Sequence, residues 1–361
     1  MERKWSIRAY REGDESKIFE LWKAVYPAEG YNEEQWMRWW NWMYKNNPGG
    51  PTRIWLAEDN GKLVGQYPLI FMRLKVGNQI IKASQNIDQM THPDYRYQGI
   101  ASKLGKQALN EASSEGVHVT IGFANEASYV VDLKAGWVDV CAQRAMIRPL
   151  NLESILGKYI TNKFLLKICT VSMNLIVKAF YRTHDVPKVG GLTITRISSF
   201  DDRINDLWDK VSRNYKIIVV RDKEYLNWRF VDVPDVEYAI FLAEKEGQIL
   251  GYTVLKCEKQ RGLIFGRIFE LVVPLEQQAV AQSLILKAVE FSKEQKAHLV
   301  LYRVIANKVL YKTLRKSGFI YSRFIGGRAQ FIARANTPEV SERFLRAPKH
   351  WFVQTGDSDA N

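Results

Sequence analysis

The residues best suited to chemistry lie in the segment Thr91-His92-Pro93-Asp94-Tyr95-Arg96-Tyr97-Gln98-Gly99-Ile100-Ala101. It fits the pattern Arg/Gln-x-x-Gly-x-Gly/Ala where an expected strand meets an expected helix. A glycine at 99 lets the backbone turn tightly, so that successive N–H groups point inward at the positive end of that helix. Such a nest suits a pyrophosphate. Arg96 adds positive charge beside it, and Ala101 keeps the helix start unobstructed. Taken alone, one glycine at a strand-to-helix turn serves a steric need as readily as a phosphate. A second segment sharpens the reading: Gly122-Phe123-Ala124-Asn125, then Tyr129 and Gly136-Trp137. Asn125 there reads as a helix cap or as a side chain that meets a ligand, and the two roles can coexist.

These residues need elements to hold them. Asp14 to Val25 reads as a helix with Ile18, Leu21, Trp22 and Val25 on one face and Asp14 or Ser16 as cap, and an aromatic helix follows from Glu33 to Tyr44. Strands are expected at 54–58 and 63–71 around Asp59-Asn60-Gly61, and again at 79–90. Ile100, Leu104, Ala108 and Ala112 lie at helical spacing after the loop. A strand at 117–123, a helix at 126–133 and a closing strand at 138–146 complete the unit. The order ββα then βαβ excludes a pure helical bundle and favours a mixed α/β layer.

The chain then repeats itself. Trp40-Asn41-Trp42-Met43-Tyr44 is echoed by Leu226-Asn227-Trp228-Arg229-Phe230, and Ile54-Trp55-Leu56-Ala57-Glu58 by Ile240-Phe241-Leu242-Ala243-Glu244. One offset holds from Trp40 to Gly65, and Asn125, Tyr129 and Gly136-Trp137 recur as Asn307, Tyr311 and Gly318-Phe319, which marks a duplicated domain. The paired aromatic blocks read as core anchors, with a sugar-stacking surface as the alternative. Where the second copy should carry its loop it has Leu271-Val272-Val273-Pro274-Leu275-Glu276-Gln277-Gln278. That segment has no glycine for a nest, and Glu276 sets a negative charge beside the expected phosphates.

The loop at Arg96–Ala101 and the Asn125, Tyr129, Gly136-Trp137 segment resemble the GNAT superfamily of acetyl-CoA-dependent N-acetyltransferases, over most of residues 1 to 148. The resemblance implies an α/β (mixed α+β) fold of two tandem GNAT-like domains, each a mixed, mostly antiparallel sheet flanked by helices. It implies two parallel strands splayed into a V around the pantetheine arm of acetyl-CoA. In that arrangement the backbone of Gln89, Met90 and Thr91 meets the pantetheine. Arg96, Tyr97, Gln98, Gly99, Ile100, Ala101 and Ser102 hold the pyrophosphate, and Asn125 bonds the arm near the thioester. An amine attacks the thioester directly, without metal, so the protein supplies proximity, an oxyanion donor, a base and an acid. Asp88 is the candidate base, acting directly or through water, with a structural ion pair as the alternative. His92, ahead of a proline, reads as a loop residue. Family members commonly place the acidic Tyr four residues before the Gly-aromatic pair, and this chain has Asp132 there. Tyr129 is the substitute candidate, with packing as the alternative because Tyr311 matches it.

The expected organisation is a catalytic domain at 1–149, a basic amphipathic helical linker at 150–190, a GNAT-like domain without cofactor binding at 191–335, and a tail at 336–361 ending in a strand or tether. At 361 residues the chain is long enough for two cores. Its 46% hydrophobic and 25% charged residues are those of a globular protein, and the start shows no signal peptide, so a cytoplasmic protein is expected. Cys141, Cys169 and Cys257 are scattered and lack His at metal spacing, which points to buried thiols. The net charge of +13 favours anionic partners, but no nucleic-acid reader motif is present. In the linker, Lys163, Lys167, Thr170, Asn174 and Lys178 alternate with Phe164, Leu165, Ile168, Val171, Leu175, Ile176 and Ala179. This 163–182 helix is expected to pack across the two domains, with membrane-surface contact as the alternative. The leading expectation is a monomeric or homodimeric enzyme that acetylates a primary amine on a small molecule or peptide. Two rivals are a non-catalytic acyl-CoA-binding or scaffolding protein and a peptidyl-type transferase using aminoacyl-tRNA.

Overall fold

Both sheets of the computed structural model, which describes residues 5–181, 189–304, 307–323, 325 and 330–358, are built from hairpins that the turn residues set. The first half runs β1 (Ser6–Ala9), α1 (Glu15–Val25), α2 (Glu33–Trp40), β2 (Arg53–Asp59), β3 (Lys62–Val76), β4 (Gln79–Asn86) and β5 (Met90–Thr91). It continues through α3 (Ile100–Ser114), β6 (Val119–Ala124), α4 (Glu126–Lys134), β7 (Val138–Ala142) and β8 (Arg144–Pro149). Helix α1 buries Ile18, Phe19, Leu21 and Trp22. Neither expected cap serves it: the Asp14 carboxylate pairs with Arg8 and accepts the Arg11 N–H instead. At α2, Asn32 and Gln35 form a reciprocal capping box, and a π-helical turn at Asn41–Lys45 extends the helix. That wider turn buries Trp42, Met43 and Tyr44 together.

After α5 (Leu152–Leu156) and α6 (Lys163–Tyr181), the second half repeats the plan as β9 (Thr193–Ile197), α7 (Arg203–Ser212), β10 (Ile217–Val219), α8 (Lys223–Phe230), β11 (Ala239–Lys245), β12 (Gln248–Gln260) and β13 (Leu263–Val272). It ends with α9 (Gln278–Glu294), β14 (Leu299–Val304), α10 (Lys308–Lys316), β15 (Ile320–Ser322), β16 (Gln330–Ala335), α11 (Glu342–Leu345) and β17 (Trp351–Phe352). The expected closing strand at 138–146 is two strands, and they part company. Strand β8 leaves for the second sheet, where it lies between β14 and β15. Strand β16 takes the corresponding place in the first sheet, between β6 and β7. The copies have exchanged closing strands, so linear boundaries at 149 and 335 do not follow sheet membership. Strands β10 and β17 also join the first sheet, β10 on the far end of β3 and β17 on β10.

The halves share a core as well as strands. One buried cluster runs from Ile18 and Trp36 of the first half to Leu226, Tyr252 and Phe352 of the second. At its centre Trp42 and Trp228 stack with ring centroids 5.1 Å apart. Each indole N–H donates to the other residue's carbonyl, at 2.7 and 3.0 Å. These echoed tryptophans are core anchors, each satisfied when buried, and the stacking is worth about 1 kcal/mol beyond area burial. Cys141, Cys169 and Cys257 are unpaired and half-buried.

Candidate active site

Strands β4 and β6 run parallel from Ala83 opposite Val119 to Asn86 opposite Gly122, then separate. The gap opens because β4 leaves its ladder at Ile87–Gln89 before β5 rejoins β3, with Met90 opposite Gln66 and Thr91 opposite Gly65. The expected single strand at 79–90 is thus broken by a bulge. Asp88 sits on that bulge in the left-handed region, at φ 44°, a position that costs a non-glycine residue on the order of 1 kcal/mol. Its carbonyl accepts the Gln66 side-chain amide at 2.9 Å, and its carboxylate accepts the Tyr44 hydroxyl at 2.7 Å. The hydroxyl that reaches Asp88 therefore comes from the aromatic helix. Tyr44 reads from sequence as a core anchor, with sugar stacking as the alternative, but its echo is Phe230, so only the first copy carries this hydroxyl.

Beyond β5, His92 caps a short turn at Pro93–Tyr95 by accepting the Asp94 N–H, and Tyr95 donates to Asp59 at 2.8 Å. Burial, with Lys62, lowers the His92 pKa, in keeping with its place in a loop. Tyr97 and Gly99 then both turn left-handed, at φ 64° and 76°, and Gly99 is the N-cap of α3. Its carbonyl takes the Lys103 N–H, which leaves the N–H groups of Ile100, Ala101 and Ser102 without helical acceptors. Space above Gly99 is open, with no heavy atom within 4 Å of where a Cβ would stand. Arg96, Tyr97, Gln98 and Ser102 are exposed around it. The helix start is pinned by Gly65 on β3, where a Cβ would come within 2.6 Å of the Ile100 side chain. Charge, amides and room together fit a pyrophosphate.

Across the gap, the exposed Asn125 caps α4 by accepting the Ser128 N–H at 3.0 Å. Tyr129 is half-buried and packs against the core cluster that contains Trp137 and Ile332. Burial, and then the neighbouring Asp139 carboxylate, raise its pKa. Asp132 is buried, and burial pushes it up to about 6 against a hydrogen bond from Ser128. On the α2 side of the sheet, Gly356, Asp357 and Ser358 of the tail line a small cavity against Ile70, Met72 and Gln85. Arg229 holds them there through the carbonyls of Gly356 and Ser358, both at 2.9 Å.

The second copy has the same gap, filled. Strands β13 and β14 part after Ile268 and Tyr302. By register, Val272 opposite Tyr252 stands where Met90 stands opposite Gln66, so Leu271 and Glu270 take the places of Gln89 and Asp88. The Leu271 N–H donates to the Gln354 side-chain oxygen and the Leu271 carbonyl accepts the Gln354 amide, both at 2.9 Å. A side-chain amide from the tail thus satisfies the strand backbone that the first copy leaves open at Gln89, which lies outside any ladder. The Gln89 side-chain oxygen is itself buried with no hydrogen-bond partner among the described residues. Tyr215 and Phe352, with ring centroids 4.5 Å apart, line what remains of the second groove, and Asn307 donates to the Tyr215 hydroxyl. Gln277 caps α9 at φ −89°, so the left-handed N-cap of the first copy is missing. Glu270 is tied to Arg221, which also binds Asp357 at 2.7 Å. Burial pushes Glu270 up to about 7, Arg221 opposing and Asp357 adding to it.

A family model described as an acetyltransferase (GNAT) domain matches residues 6–137. No curated protein matches the chain. Among solved structures, a GCN5-related N-acetyltransferase from Anabaena variabilis is similar over 92% of this chain and 73% of its own, at 12% identity and a TM-score of 0.65. A tandem GNAT protein from the clavulanic acid biosynthesis pathway is similar over 92% of this chain and 99% of its own, at 13% identity and a TM-score of 0.56. N-myristoyltransferase from Saccharomyces cerevisiae, solved with bound myristoyl-CoA, is similar over 98% of this chain and 86% of its own, at 13% identity and a TM-score of 0.60. The chain therefore has the tandem GNAT fold.

Proposed function

Because residues 6–137 match a model of the GNAT acetyltransferase domain, we propose that the protein transfers an acetyl group from acetyl-CoA to a primary amine, in the gap between β5 and β6 of its first copy. The contrast between the two gaps carries this reading. The first has a left-handed glycine, helix-start amides and an unladdered Gln89, whereas the tail fills the second.

In this reading Gln89, Met90 and Thr91 face the pantetheine arm and Arg96 to Ser102 take the pyrophosphate, while Asn125 keeps its cap and meets the arm. Acetyl-CoA supplies an activated carbonyl and a thiolate leaving group. Asp88 takes the ammonium proton, directly or through water, as the amine nitrogen bonds to the carbonyl carbon and the C–S bond breaks. Tyr44 orients Asp88 through the 2.7 Å hydrogen bond and is a positioning residue. Tyr129, whose pKa burial and Asp139 raise, is a poorer source of the thiolate's proton than its place in the sequence suggests. The second copy shapes the acceptor side through Gly356 to Ser358.

The test is a thermal-shift titration with acetyl-CoA beside Gly99→Asp. At a concentration about 100 times Kd the ligand should stabilise the wild type by about 2.7 kcal/mol, visible as a rise in Tm. Gly99→Asp should remain folded and show no rise. Given binding, thiol release over an amine panel follows. Asp88→Asn should lower kcat about 100-fold or more, and Tyr44→Phe should lower kcat by a smaller factor with KM unchanged. A wild type that acetyl-CoA does not stabilise ends the proposal.

A further inference from the structure

Among the described residues helix α6 has its main contacts with neither sheet, so the expected packing across the two domains is not found there. It packs on α5, where Leu166 lies against Gly157, and the half-buried Cys169 and Thr170 share that side. Its opposite side meets no partner among the described residues. Phe164, Ile168, Val171 and Leu175, spaced four, three and four residues apart, form one stripe along it. Their exposures are 72, 47, 53 and 64%, and Leu165 widens the stripe at 52%. Lys163 and Lys167 are exposed along one flank. The side chains of Asn174, Ile176, Lys178 and Ala179, and residue 182, lie outside the described residues.

Charge selects what covers the stripe. The sequence from Lys163 to Tyr181 has lysines and no Asp or Glu, in a chain of net charge +13. A second copy of α6 would bring lysine to lysine with no carboxylate on either helix to answer them. An anionic bilayer answers both features, taking the apolar stripe at the headgroup boundary and the lysines at its phosphates. Among the described residues no helix is long and apolar enough to cross a membrane, so the fit is in the plane of the surface. We propose that α6 docks the protein on an anionic phospholipid surface, inserting Phe164, Ile168, Val171 and Leu175 with Lys163 and Lys167 against the phosphates.

The test is co-sedimentation of the full chain with vesicles of phosphatidylcholine alone or mixed with phosphatidylglycerol, at low and high salt. The wild type should pellet with the mixed vesicles and be released by salt. Lys163→Gln with Lys167→Gln should bind about thirtyfold more weakly, two lysines being worth about 1 kcal/mol each at such a surface. Phe164→Asp with Ile168→Asp should abolish binding at unchanged Tm, since both side chains are exposed. No binding to mixed vesicles overturns the proposal, as does binding that Phe164→Asp with Ile168→Asp leaves intact. A dimer in light scattering that this same variant dissolves, without vesicle binding by the wild type, would instead assign the stripe to a second copy.

Discussion

Asp132 shows how a single residue departs from its expected setting. It stands where a tyrosine is expected, yet it is buried, and burial pushes its carboxyl up to about 6. A carboxyl raised in this way holds its proton in the folded protein over a range where the unfolded chain has lost it. Its contribution is fully present below the unfolded pKa of 3.8 and is lost as pH rises through about 6. Asp132→Asn removes that loss, so the variant should be more stable than the wild type at pH 8 by on the order of 2 kcal/mol. The gain should be smaller by about 1 kcal/mol at pH 5, where most of the native population keeps the proton. Urea unfolding at both pH values checks this, and an equal effect at the two would exclude titration of Asp132 as the cause. Tyr44 is the other residue whose setting matters: its hydroxyl serves Asp88, and its echo Phe230 has none.

The element that separates the two copies is the tail. Gln354 is buried, and its side chain accepts from Leu271 N–H and Tyr302 and donates to the Leu271 carbonyl. Truncation to alanine strands the Leu271 N–H and carbonyl inside the protein, so Gln354→Ala should destabilise by about 2–4 kcal/mol. The lost stability should appear as a lower urea midpoint with the slope unchanged. It should not create acetyl-CoA binding in the second groove, because Gln277 caps α9 without the left-handed turn. Binding of a second equivalent by Gln354→Ala in calorimetry would contradict that. Sequence reads the tail as a strand or tether, and β17 on β10 is that strand. Its occupation of the groove was not legible, since a glutamine in a polar tail carries no mark of the backbone it will meet.

At the scale of the molecule, exchange of β8 and β16 makes each half complete only with the other. Without β16, strand β6 would show an open edge and Phe123 would lose Phe331, whose ring lies 5.2 Å away. Residues 1–149 alone should therefore give no cooperative thermal transition, whereas co-expression with 150–361 should restore one. A monodisperse, cooperatively melting 1–149 fragment would show that the exchange is dispensable. Sequence by itself determined the duplication, the order of elements and the loop that ends in Gly99, because these rest on local signals: periodicity, turn residues and a glycine where φ must be positive. Only the tertiary structure decided that the closing strands are exchanged, that Tyr44 meets Asp88, that the tail fills the second groove and that one side of α6 is exposed among the described residues. These are contacts between residues far apart in the chain, and a strand of a given pattern reads alike whichever sheet it enters.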